Sequence, residues 1–503
     1  MDLRRTHPGV RLRAGLMAAV FVLACNHVHT LGVIEKDGAM PDVAQPQPDA
    51  GPLQIESCPT LTGAPAGLAP LPTASQVALQ RTELVGYIHF GLQTFDPTDN
   101  GDPAKDLPGS FNPTDLNAGQ WISELKNAGV REAILIVKSS TGFALWPSAY
   151  TDDSVRNSPW KNGNGDVVKE FTDAVRAAGL RAGFYVSPRD DHYPGTSPSY
   201  ETYFRNQLTE LLTNYGPIYE VEFPGGNAPT TVNWAGIADL AHRLQPGIVV
   251  WTGPEIATTG VDARFLNQTG VAPRSTSSIA TVPNGGPSNV WYPAETEVST
   301  TGANIWFWHP NNPLMALSQL QSIYFTSVGR NVTLVVNVPP GTTGQFDAAN
   351  VDLLRQFGSW YGALYQTNLV QGQPVTTDST WANPGFDPVK AMDGDVCTYW
   401  AAADGKTSAR LEVTPASPIT FKVISIREPI ELGERTTAYH IELKQNGSWN
   451  KSPKDASGTT IAGTVIGQRQ LWQLNSTTAD AIALVIDAAQ GPPAIAELGV
   501  FND

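Results

Sequence analysis

Cysteine is scarce in this chain: Cys25, Cys58 and Cys397 are the three in 503 residues. None forms a Cys-x-x-Cys pair and no His/Cys cluster occurs, which argues against a structural zinc site. Charge is sparse as well, at 16% of residues, and lopsided: 32 Lys and Arg against 47 Asp and Glu give a net charge of −15. So acidic a chain, with no Lys/Arg-rich run, lacks the basic surface that nucleic acid requires. No glycine fingerprint for nucleotide phosphates is present, and nothing in the composition asks for a cofactor or a metal. The N-terminal apolar run AGLMAAVFVLA, residues 14–24, is too short to span a bilayer.

What is present suffices for large cores. A length of 503 residues with 41% hydrophobic residues fits two domains plus a terminal segment. Arg4, Arg5, Arg11 and Arg13 precede the apolar run, and Cys25 follows it, in the pattern of a signal peptide over residues 1–25. Val22-Leu23-Ala24-Cys25 resembles a bacterial lipobox, which would make Cys25 a lipid anchor to the cell envelope and the chain's one link to a membrane. Leu23 is not the usual small residue there, so plain secretion stays open. Residues 26–78 are rich in Pro, Ala and Gly, with little periodicity, and read as a flexible tether. In an oxidising compartment Cys58 and Cys397 either pair or remain two free thiols.

From about 79 to 365, strands alternate with helices. EAILIVK (132–138) is a buried strand; GDVVKEFTDAVRAAG (165–179) is a helix with Val167, Val168, Phe171, Val175 and Ala178 on one face. Residues 181–186 form the next strand, and YETYFRNQLTELLTNYG (200–216) carries Phe204, Leu208, Leu211 and Leu212 at helical spacing. The run 218–223 is a strand that leaves through a Gly-Gly loop. Repeated βα units with polar motifs at strand ends predict an α/β fold of the (β/α)8-barrel type, with its chemistry at the strand C-termini. From 366 to 503 helical periodicity gives way to short strands such as ARLEV and AIALVIDA separated by turns, which predicts an all-β sandwich.

The stretch YGPIYEVEFPGG (215–226) resembles the strand EVWFDG of the α-L-fucosidases of glycoside hydrolase family 29, in which the Asp is the nucleophile. Pro224 stands at that position. The phrases AMDGDVCTYWAAADG, ARLEV and AIAELGVF resemble coagulation-factor-type C (discoidin-like) domains, which implies either a glycan-binding module or a structural appendage. Retaining glycosidases need two carboxyl groups about 5 Å apart. The family's acid/base Glu lies in a GNExG-like motif; the matching stretch is LNQTG (266–270), with Gln268 at the acid position. An amide cannot deliver a proton. Likewise the family's KHHDGFxLWPS reads KSSTGFALWPS (138–148), without either His, and an expected Glu-Trp reads Asp99-Asn100.

The resemblance thus implies a sugar-binding relative that has lost hydrolysis, with a carbohydrate, such as a fucosylated glycan, as partner. Retained positions that could contact sugar are His89, Trp146, Asp190, Glu295, Trp308 and His309. Each has a plainer reading: His89 satisfied inside the barrel, Trp146 packed in the core, Asp190 in a solvated loop, Glu295 capping a loop. Glu222 replaces an aromatic residue and points the same way as position 224, ~6.6 Å deeper at ~3.3 Å per residue. It would serve as a displaced nucleophile, or else be a buried Glu paired with Lys138 or an Arg. Two other readings follow: an active glycosidase using Glu222, Glu295 or Asp190, or a non-catalytic surface scaffold whose barrel supports only protein contacts.

Overall fold

The computed structural model describes residues 58–502, apart from 97–98, 100–106, 194, 196–198, 225–227, 254–255, 257, 282–287 and 303–304. The expected signal peptide at 1–25, with Cys25, and the expected tether from 26 to 57 lie outside the described residues.

Eight parallel strands close into a barrel in sequential order: β1 (Leu84–Ile88), β2 (Glu132–Lys138), β3 (Arg181–Val186), β4 (Glu220–Phe223), β5 (Val249–Thr252), β6 (Ala263–Asn267), β7 (Ala294–Ser299) and β8 (Thr333–Asn337). Helix α1 (Ala74–Thr82) precedes β1, and α2 (Ala118–Asn127), α3 (Val167–Ala178), α4 (Tyr200–Asn214) and α5 (Trp234–Leu244) follow β1 to β4 in turn. After β7 comes α6 (Leu317–Thr326), and after β8 comes α7 (Ala348–Leu364). Among the described residues no helix follows β5 or β6. Each helix starts on a local signal. Asp166 caps α3 by accepting from the Lys169 N–H, Gly179 ends it in the left-handed region, and the buried face is Val167, Val168, Phe171, Thr172 and Val175.

Strand alternation sorts the barrel side chains. Leu135, Val137, Phe184, Val186 and Val221 join the shell between sheet and helices, whereas Val85, Tyr87, Ile134, Ile136 and Val335 form an interior cluster. The second module is a sandwich of two antiparallel sheets. One contains 375–377, 409–413, 481–489, 436–445 and 448–450, and the other 470–479, 419–427 and 497–501. Their facing side chains form a separate core around Trp400, Leu411, Ile424, Ile441 and Leu484.

The two modules are locked together at the base of the barrel. Glu83, between α1 and β1, is buried and receives Arg427 Nη2 at 3.0 Å and Arg469 Nε at 2.9 Å from the sandwich. The part of the expected tether from 58 to 78 is not a free linker: it lies on the sandwich and then enters α1. Leu61 and Ala64 pack against Phe386 and Tyr399, the Leu68 N–H donates to the Leu432 carbonyl, and Cys58 is disulfide-bonded to Cys397. The disulfide settles the alternative that sequence left open.

Candidate functional site

The C-terminal strand ends bring together His89 after β1, Ser139 after β2, Tyr185 on β3, Glu222 and Pro224 at β4, Gln268 after β6, Glu297 on β7 and Asn337 on β8. This is the end of a barrel where loops converge on ligands. His89 is nearly buried among the rings of Tyr87, Tyr185, Trp306 and Phe307, with centroids 5.2 to 5.9 Å away. Burial holds its imidazole neutral, pushing the pKa down to about 4 against the opposing effects of Asn337 and Asp99. Its Nδ1 lies 2.9 Å from Asn337 Oδ1, so the Nδ1–H donates there and Nε2 is left as an acceptor. Asn337 is itself fixed by donating to Ser299 Oγ and the Trp306 carbonyl at 2.9 and 2.8 Å. Tyr185 and Trp306 are half-buried and offer ring surface beside His89.

Pro224 is half-buried immediately beyond β4 and presents no acid oxygen. Gln268 is exposed at the end of β6, and its Nε2 lies 3.5 Å from Glu297 Oε2. Ser139, where the family motif has a His, accepts a 2.8 Å hydrogen bond from Gln93 Nε2 and lies 3.0 Å from Thr141 Oγ1. The rim is therefore lined by amide and hydroxyl groups where the resemblance placed ionisable ones.

Several residues expected to contact sugar are hydrogen-bonded to other parts of the barrel. Trp146 is 1% exposed in the outer core, and its indole N–H donates to Glu210 of α4 at 2.9 Å. The Asp190 side chain is 1% exposed; it pairs with Lys138 Nζ at 3.3 Å and accepts from the Tyr203 hydroxyl at 2.8 Å. Trp308 donates to Asp347 at 3.1 Å, and His309 Nε2 lies 2.8 Å from Asp99. Asp99 also accepts from the Phe307 N–H at 3.2 Å, so it clamps the loop beyond β7.

Glu222 and Glu295 are 1% exposed inside the barrel, below the mouth. Lys138 is committed to Asp190 and to Gln207 at 2.9 Å, so the expected Lys138–Glu222 pair does not form. Glu222 accepts from the Tyr87 hydroxyl instead. Burial, then Glu297 and Glu295, raise its pKa well above the ordinary carboxylate range.

Glu297, which no sequence motif singles out, also lies at this site. It stands one period-two step beyond Glu295, on the same barrel face and nearer the mouth, as AETEVS already implies. Burial raises its pKa to about 7, with Gln268 opposing.

The fold is an eight-stranded α/β barrel carrying a β-sandwich module, and comparisons with known proteins give it a family. The Alpha-L-fucosidase family model matches residues 89–364, and the F5/8 type C domain model matches 374–498. Alpha-L-fucosidase 1 of Arabidopsis thaliana is 33% identical over 460 residues, covering 87% of this chain and 89% of its own. A putative alpha-L-fucosidase structure from Bacteroides thetaiotaomicron superposes with a TM-score of 0.80 at 31% identity, covering 88% of this chain and 99% of that one. A GH29 fucosidase of Ruminococcus gnavus, solved in complex with fucose, gives a TM-score of 0.75 at 27% identity, covering 88% and 97%. The chain belongs to the α-L-fucosidase family.

Proposed function

We propose that this chain is an exported, carbohydrate-binding member of the α-L-fucosidase family that does not hydrolyse α-L-fucosides by the two-carboxylate route. The observation that carries the reading is Pro224 at the open end of β4, where the family motif has its nucleophile. Gln268 supports it from the end of β6, two strands along the barrel, because its amide can hold a hydroxyl but cannot protonate a leaving oxygen. The ligand class follows from what lines the mouth. Neutral His89 offers an acceptor, Ser139 and Gln268 offer neutral polar groups, and Tyr185 and Trp306 offer ring faces for a sugar's apolar side. Fucose is the natural first candidate, since the similar Ruminococcus gnavus protein was solved with it. Export rests on the leader at 1–25, with Cys25 as the proposed anchor point.

The test has two arms. Calorimetry with L-fucose and fucosylated oligosaccharides should show saturable binding that weakens about tenfold, or 1.4 kcal/mol, in His89→Ala and Trp306→Ala. An aryl α-L-fucoside should turn over no faster than the uncatalysed rate. Absence of any saturable sugar binding would leave a scaffold.

A second reading has one observation in its favour. Glu297, with its pKa at about 7, is poised as an acid/base near neutrality, with Glu222 as the nucleophile. Against it, Glu222 is buried under Tyr87, where an anomeric carbon has no access. Turnover that disappears in both Glu222→Gln and Glu297→Gln would establish this second reading.

A further inference from the structure

At the opposite end of the barrel from His89, a cavity of about 1360 Å³ opens between the strand N-termini and the sandwich. Its barrel wall is built from residues that lead into the strands: Arg131 before β2, Leu180 before β3 and Pro217 before β4. Cys397, Ser425 and Phe501 line it from the sandwich. The lining is basic although the chain is acidic. Seven lining residues are Lys or Arg and two, Glu83 and Glu497, are acidic, in a protein of net charge −15. The cations come from five separate segments, so no run in the sequence announces them. Lys126, Arg131 and Arg176 are exposed, and Arg81 and Arg181 are half-buried. The two acids are already engaged, Glu83 by Arg427 and Arg469 and Glu497 by Arg427 at 3.5 Å. Arg81 pairs with Glu431, Arg181 with Glu132 and Arg176 with Asp173. Lys126 gives one donor to the Ala178 carbonyl at 2.6 Å, and neither it nor Arg131 has a carboxylate in ion-pair contact among the described residues. Helix C-termini favour cations at 126 and 176. Arg131 lies beyond α2 on the way into β2, has no such role, and leaves its guanidinium to solvent.

We propose that this cavity is a second binding site, for a short acidic oligosaccharide whose carboxylate or sulfate groups are taken by Arg131 and Lys126. A guanidinium offers a fork of donors that meets two oxygens of such a group at once, and an ammonium adds a point charge. The rest of the lining suits a sugar rather than a bare anion. Tyr361 and Tyr365 are half-buried and keep ring surface for a sugar's apolar side, while Gln366 and Gln371 are exposed amides that can serve hydroxyls. The volume exceeds the ~300–1,000 Å³ of ordinary small-ligand sites, which leaves room for more than one sugar unit. The protein's own charge selects for a short ligand. Fields are screened beyond ~8 Å at physiological ionic strength, so the cavity's cations govern a ligand lying within it, whereas a long polyanion would run onto acidic surface. The seven residues of β2 separate this cavity from the barrel mouth by ~20 Å at ~3.3 Å per residue, so the two sites can fill independently.

The experiment is calorimetry on the full chain with five probes: tetragalacturonate, its methyl ester, a sulfated tetrasaccharide, a tetraglutamate peptide and a four-nucleotide DNA. Tetragalacturonate or the sulfated tetrasaccharide should bind saturably, one per chain, and about tenfold more weakly in R131E and in the double variant K126A/R131A. Binding of either acidic oligosaccharide supports the proposal, and the tighter of the two identifies the acidic group. The methyl ester should not bind, and raising salt to about 0.5 M should weaken the acidic probes. Both substituted positions are exposed, so the thermal midpoints of the variants should stay close to that of wild type. Saturating L-fucose, or His89→Ala, should leave this binding unchanged, so its failure is distinguishable from failure of the site at the barrel mouth. No saturable binding of either acidic oligosaccharide would overturn the proposal. So would wild-type affinity in R131E, or equally tight binding of the peptide or the DNA, which would mean that charge alone is read.

Discussion

Replacing Asp190 by Asn tests whether that residue touches ligand or holds the scaffold. The substitution keeps shape and removes one charge, leaving Lys138 as a cation that is 0% exposed, above the rings of Tyr203 and Phe204. At 3.3 Å the pair attraction is about 5 kcal/mol with an effective dielectric of about 20. Breaking one partner of a buried pair costs about 3–5 kcal/mol. Barrel and sandwich form one compact unit, and unfolding entropy near 2.1 cal/mol/K per residue over 58–502 gives ~0.9 kcal/mol/K. The thermal midpoint should therefore fall by about 3–5 °C, read by circular dichroism. Restoring neutrality with Lys138→Met in the same chain should recover part of the loss. The pH dependence has a definite sign. Burial already lowers the Lys138 pKa from 10.5, and removing Asp190 removes its chief support. The unfolded state then holds more protons than the folded one, so the variant's deficit should shrink as pH rises toward 10.5. A midpoint within about 1 °C of wild type, with sugar affinity lost, would refute the structural assignment.

Other outcomes follow from the same geometry. Trp146→Phe leaves Glu210 short of one donor and should cost about 1–3 kcal/mol in a urea titration while sugar affinity is unchanged. Glu297 has a folded pKa raised to about 7, so it contributes stability that is lost as pH rises through 7. Glu297→Gln should flatten the part of the stability profile that falls between about pH 4.5 and 7, measured by thermal scans. Removing the disulfide with Cys397→Ser opens a cross-link spanning 339 residues and should destabilise by no more than about 5–6 kcal/mol. Alkylation followed by mass spectrometry should show two unreactive cysteines in the unreduced wild type.

The barrel was legible because its helices advertise one apolar face and its strands one continuous run, as in 167–178 and 132–138. Two connections were not, since the segments after β5 and β6 carry no helical period to read. The absence of ionisable side chains at 224 and 268 could be read directly, because it depends on residue type alone. Depth could not. Trp146, Asp190 and Glu295 sit in motifs of the right kind, yet their neighbours Glu210, Lys138 and Glu220 come from other elements and decide which way each is used. Glu297 needed only the alternation of β7 carried one step further. The disulfide depended on where residue 58 lies against the sandwich, a matter of tertiary packing.

The most direct check on the proposed loss of hydrolysis is intact-mass spectrometry after prolonged incubation with a mechanism-based fucosyl inactivator. With no acid oxygen at position 224, the mass should stay that of the unmodified protein. A gain of one glycosyl unit, mapped to Glu222, Glu297 or any other carboxylate of the barrel, would contradict it.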